Sequence, residues 1–174
     1  MKAQQQIISP QDIVILLKII ALGNTVWFQN TLAESLHISQ SEVSKSLMRS
    51  KYAGLLDVSG KKVSRLALME FLQFGIRYVF PQQPGALVRG VPTAHSAAPL
   101  NTVIQSEEHY VWPSATGTLR GQSILPLYPS VVVAIKEDAV LYELLALVDA
   151  IRVGRAREKE LAVQELKRRI TDGE

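Results

Sequence analysis

The chain contains no cysteine, which excludes disulfides, thiolate zinc sites and cysteine nucleophiles together. Its histidines are only His37, His95 and His109, so a structural zinc would need them together with carboxylates. There is no uncharged apolar run of about 18 residues, the length a membrane helix requires. The opening residues 1–6 are polar and lack the pattern of a secretory leader, so a soluble, cytoplasmic protein is expected. No nucleophile-base-orienter set, paired carboxylates or glycine-rich phosphate loop can be assembled from residues 81–129. No enzyme, cofactor or metal site is therefore expected.

What is present suits a globular protein. Of 174 residues, 47% are hydrophobic and 20% charged, enough to bury a core. The net charge of +3 is unevenly spread. Residues 1–80 carry nine Lys/Arg against five Asp/Glu, 81–136 three against two, and 137–174 seven against nine. The positive excess thus lies in the first half, where nucleic-acid phosphates would be met.

Residues 31–47 organise that half. Leu32, Ala33 and Leu36 form the apolar stripe of a short helix, and Ile38 reads as a buried turn residue. Ser39 is placed to cap a second helix, with Glu42 three residues later completing a capping box. Val43 and Leu47 face inward at i, i+4. Gln40, Ser41, Ser44, Lys45, Met48 and Arg49 are left outward. A small residue, an apolar turn and a polar, basic second helix are the parts of a helix-turn-helix.

On these residues the stretch 10–65 resembles the winged helix-turn-helix domain of bacterial transcription regulators, broadly MarR-like. Ala33 sits at the small-residue position, Ser39 starts the recognition helix and Val43 is its buried anchor. His37 stands where the motif most often has Gly, and His tolerates the left-handed backbone better than a β-branched residue. The wing lacks the acidic-then-arginine pattern associated with MarR wings. The resemblance implies a dimer built by helices outside the winged domain.

Ser9, Pro10 and Asp12 open a helix that ends near Gly23. Its apolar residues occupy more than one side, so its second face is expected against C-terminal helices or a second subunit. Thr25 to Phe28 reads as a short strand or connector, with Trp27 and Phe28 in the core. Residues 56–64 read as a hairpin wing with Lys61 and Lys62 at its tip, followed by a helix over 65–78 that Gly75 interrupts. Seven of the eight prolines fall in 81–129. That stretch is too apolar for disorder and reads as irregular and packed. Within it, His95 reads as a structural hydrogen-bonder, while Arg89 and Arg120 could hold an anion or a partner's carboxylate. Ser130 is expected to cap a short helix and Asp138 a longer apolar one. The final helix is sparsely apolar and reads as a solvent-facing arm or a dimer seam.

The expected fold is mainly α with a small β-wing. A winged helix-turn-helix domain spans 9–80, an irregular Pro/Gly-rich packed segment 81–129, and a C-terminal helical dimerisation or partner-binding region 130–174. The expected function is sequence-specific binding of double-stranded DNA by a transcriptional regulator acting as a homodimer. Gln40, Ser41 and Lys45 would read base edges, Ser44, Arg49 and Lys51 would meet phosphates, and Lys61 and Lys62 the flanking strand. The alternative is a protein-interaction subunit, antitoxin-like or an accessory protein of an operon, using the middle segment and C-terminal helices for its protein partner.

Overall fold

The computed structural model describes residues 6–172. They form a mainly helical protein with a small three-stranded sheet. Among the described residues no helix is long and apolar enough to cross a membrane.

Helix α1 (Pro10–Ala21) begins with Pro10 in its first turn, and the Asp12 carboxylate accepts from the Ser9 amide at 2.8 Å. Ile13, Val14, Ile15, Leu16 and Leu17 are all fully buried. A helix apolar on every side needs neighbours on every side. Those neighbours are α3 (Gln40–Tyr52) and α7 (Ala139–Val153). The apolar surplus of α1 is thus covered within the chain by a C-terminal helix. Lys18, its one basic residue, reaches Asp138 at 2.5 Å, while the other Asp138 oxygen caps α7 through the Leu141 amide.

Helix α7 is the spine. It is buried from Leu144 to Arg152, and α1, α4 (Arg65–Phe74), α5 (Ile76–Val79) and α8 (Ala156–Ile170) all pack against it. The last of these departs from the sequence expectation. Ala162, Val163, Leu166 and Ile170 of α8 are buried, so its narrow apolar stripe belongs to this chain's own core. Four residues suffice because small Ala162 allows close approach. Arg169 also reaches Glu143 of α7 across the contact.

The segment 81–129 carries three short strands among its irregular stretches. Strand β1 (Leu87–Pro92) pairs antiparallel with β2 (Tyr110–Pro113) and with β3 (Leu119–Ser123), and β2 and β3 pair in parallel. The glycines that read as loop punctuation are where these strands crowd together. A Cβ on Gly90 would stand 2.1 Å from the Trp112 carbonyl oxygen, and one on Gly121 2.6 Å from that of His109. Pro92 and Pro113 sit at strand ends, where a missing N–H is tolerated.

A buried polar cluster fixes this sheet to α7. One Asp149 oxygen accepts from Thr93 Oγ1 and from Trp112 Nε1, each at 2.7 Å, and the other from Arg152 at 2.9 Å. Arg152 Nε donates to the Phe80 carbonyl at 3.0 Å, and Tyr142 donates to that of Pro92 at 2.5 Å. Burial pushes the Asp149 carboxyl above its ordinary range, against the pull of Arg152 and the two neutral donors.

Candidate nucleic-acid interface

Helix α2 (Gln29–Leu36) ends at His37, whose backbone is left-handed at φ 54° and ψ 42°. This conformation lets the Ile38 amide close onto the Ala33 carbonyl at 3.0 Å and turns the chain into α3. Ile38 is buried beneath the turn. Ser39 accepts from the Glu42 amide at 3.2 Å, which is one half of the expected capping box. The Glu42 carboxylate stands instead 3.6 Å from Lys45.

The inner face of α3 carries Val43, Ser46, Leu47 and Ser50, all buried. The outer face carries Gln40, Ser41, Lys45, Met48 and Lys51, all exposed, with Ser44 partly exposed. Tyr52 extends this face at 76% exposure, four residues beyond Met48 at 62%. The i, i+4 spacing from Met48 is the sequence signal for Tyr52. An exposed polar and basic face bounded by bulky apolar groups can meet both base edges and thymine methyls.

Arg49, expected to meet phosphates, is turned towards α1. Its Nη2 stands 2.7 Å from Asp12 Oδ1 and its Nε 2.9 Å from Oδ2, and Nη2 also reaches the Ser9 hydroxyl at 3.3 Å. Asp12 is fully buried, so it needs a counter-charge, and Arg49 is positioned to supply it. The bonds to Asp12 hold the guanidinium pKa above its ordinary value. Arg49 is thereby engaged in joining α3 to α1.

The hairpin expected as a wing, residues 56–63, is a loop more than a ladder. Leu56 and Val63 form its only bridge, beside an Asp57 amide to Lys62 carbonyl bond of 2.8 Å. Asp57 ties the tip together, accepting from Ser59 Oγ at 2.7 Å and from the Lys62 amide at 3.2 Å. These bonds hold its carboxyl below the ordinary carboxylate range. Such a short hairpin needs this side-chain replacement for the missing ladder.

Lys61 turns back from the tip. Its Nζ lies 4.3 Å from the Trp27 ring centroid and 6.0 Å from that of Phe28, within reach of a cation–π contact. Trp27 is buried as expected, whereas Phe28 is 60% exposed. Phe28 caps the start of α2 with its backbone, exchanging bonds with Thr31 Oγ1, which leaves its ring at the rim. Lys62 is exposed, and its side chain has no ion pair or hydrogen bond among the described residues.

Ser44, Met48, Lys51 and Lys61 line a groove of about 190 Å³ between α3 and the wing. Gln40, Ser41 and Lys45 continue the surface along the first half of α3. The structure therefore brings the outer face of α3 and the 56–63 hairpin onto one side, with Arg49 withdrawn beneath it.

His95 is remote from this face. It is buried, with Nε2 2.8 Å from the Glu108 carbonyl and its ring edge-on to Tyr110. Arg89 and Arg120 are opposed residues of β1 and β3, both exposed. No cluster of three potential metal-ligating side chains occurs among the described residues. Comparison of the chain with protein-family models, with curated proteins and with solved structures finds no match.

Proposed function

We propose that this protein is a sequence-specific duplex-DNA-binding regulator of the winged helix-turn-helix type. The observation that carries the reading is the shared exposed face of α3 and the wing, polar and basic, with Val43 and Leu47 of α3 buried on the opposite side. In this reading the first half of α3 lies in the major groove, where Gln40, Ser41 and Lys45 read base edges. Ser44, Lys51 and Lys62 meet phosphates, and Lys61 does so only by leaving Trp27. Arg49 is assigned to positioning α3 on α1.

One recognition helix reads only a few base pairs, so the regulator acts as a dimer on an inverted repeat, with half-sites about 34 Å apart. The support for a seam has moved from α1 and α8, whose apolar faces are covered within the chain. It now rests on α4 and α5, where Leu66, Phe74 and Tyr78 are 76%, 67% and 75% exposed. Leu66 and Phe74 lie on α4, and Tyr78 lies on α5.

The test is binding of the purified protein to the DNA upstream of its own gene across a salt series. Gln40→Ala and Lys45→Ala are expected to lose about 1–3 kcal/mol of discrimination each. Lys51→Ala and Lys62→Ala should weaken binding to all sequences alike and reduce the salt slope by about one each. Weak binding, equal for any duplex and indifferent to these four changes, would overturn the reading in favour of the protein-interaction subunit.

A further inference from the structure

Arg89 and Arg120 face one another across β1 and β3. The Ser123 amide donates to the Ala86 carbonyl at 3.0 Å, which makes 86 and 123 a hydrogen-bonded pair. Alternation along antiparallel strands then makes 89 and 120 a non-hydrogen-bonded pair, the kind in which opposed side chains stand closest. Like charges so placed repel. Neither guanidinium has an ion pair or hydrogen bond among the described residues that would relieve this.

The juxtaposition is enforced. Each arginine precedes a buried glycine, Gly90 and Gly121, whose missing Cβ is what lets the strands close on one another. A one-residue slip would drive an arginine into that contact, so the register is pinned with both arginines outward. Thr93 and Trp112, at the ends of β1 and within β2, are locked to Asp149. The pair is thus a preorganised double positive charge on a rigid sheet.

We propose that the Arg89–Arg120 pair is a binding site for a phosphate dianion, borne by a small phosphorylated ligand. Two guanidinium forks present two planar sets of donors, and a tetrahedral phosphate offers an oxygen edge to each. A carboxylate can reach both forks, but it sets one negative charge against their two. With the phosphate dianion the charges match, two against two. The site is separate from the recognition face, because α3 packs on α1, α1 on α7, and the sheet is fixed to α7. Its existence does not depend on the DNA reading.

Calorimetric titration of the full chain with inorganic phosphate and with adenosine 5′-monophosphate, at ionic strength held constant with sodium chloride, tests this. One saturable site is expected for at least one of the two probes. Arg89→Gln and Arg120→Gln should each weaken it at least tenfold, and Arg120→Lys should restore it only in part. Arg120→Glu provides a control for folding. An opposite-charge pair should raise the melting temperature while abolishing phosphate binding. Saturation by phosphate alone would identify the free ion, and tighter binding of the nucleotide a phosphomonoester ligand. No saturable site in the wild type, or equal affinity in the glutamine variants, would overturn the proposal. So would a loss of duplex affinity in the glutamine variants without any phosphate site, which would assign the arginines to the DNA backbone.

Discussion

Arg49 grips Asp12 with both nitrogens of one edge, at 2.7 and 2.9 Å, across the contact between α3 and α1. The arginine side chain is 20% exposed and the carboxylate not at all. Removing the arginine leaves a buried negative charge whose remaining partner is the Ser9 amide. Arg49→Ala should therefore destabilise the protein by about 3 kcal/mol, the lower end for a broken buried pair. Arg49→Lys should recover only part, because an ammonium cannot bridge both oxygens. Urea unfolding measures this. A change below about 0.5 kcal/mol, the usual range for surface substitutions, would show the pair to be incidental.

At the turn between α2 and α3 the expected direction is reversed. His37 is exposed and holds a left-handed backbone at φ 54°. A side chain there costs about 1–2 kcal/mol that glycine does not incur, offset partly by glycine's larger unfolded-state entropy. His37→Gly should raise stability by about 0.5–1 kcal/mol. Urea midpoints compared at constant slope will show it. A lower midpoint would mean that the imidazole makes a contribution the backbone argument leaves out.

The turn illustrates what the sequence could disclose. Ser39, Ile38, Val43 and Leu47 are local signals, each set by its immediate neighbours, and they lie as periodicity and capping require. Tertiary choices were hidden. Arg49 looks like an outward cation until Asp12, 37 residues earlier, is brought beneath it. Ser130, expected to cap a helix, instead donates to the Leu36 carbonyl at 2.6 Å, from α6 (Val131–Ala134) to the end of α2. Gly90 and Gly121 look like turn residues, because close backbone approach and loop flexibility call for the same amino acid. The strands of 81–129 are not legible in the sequence for that reason. Exposure of Phe28 was equally illegible, since an aromatic residue beside Trp27 suits core and rim alike.

The buried Asp149 cluster makes a prediction about pH. Burial raises the Asp149 pKa above its ordinary 3.8, so the folded protein holds that proton more tightly than the unfolded chain. By linkage, the contribution of this carboxyl is largest below 3.8 and declines as pH rises through the window above it. Asp149→Asn removes the titration. It should lower stability at every pH, because its amide presents a donor either to Arg152 or to Thr93 and Trp112. The gap between wild type and variant should narrow as pH increases from that value. A gap that widens would mean that the ion pair with Arg152 outweighs desolvation.

The exposed side of α4 and α5 provides the sharpest check on assembly. Phe74 and Tyr78 already face solvent in the single chain, so at a protein concentration where the wild type is dissociated, Phe74→Lys and Tyr78→Lys should leave the unfolding free energy within about 0.5 kcal/mol of wild type. If these residues form a two-fold seam, the same changes place like charges across it. Light scattering should then report a dimer for the wild type and a monomer for the double variant. On DNA, affinity for an inverted repeat should fall steeply in the double variant, while affinity for an isolated half-site is unchanged. This pattern separates assembly from contact, since a lesion in the reading surface would weaken both. A wild type that is monomeric at micromolar concentration, or a double variant that remains dimeric, would remove α4 and α5 from the assembly.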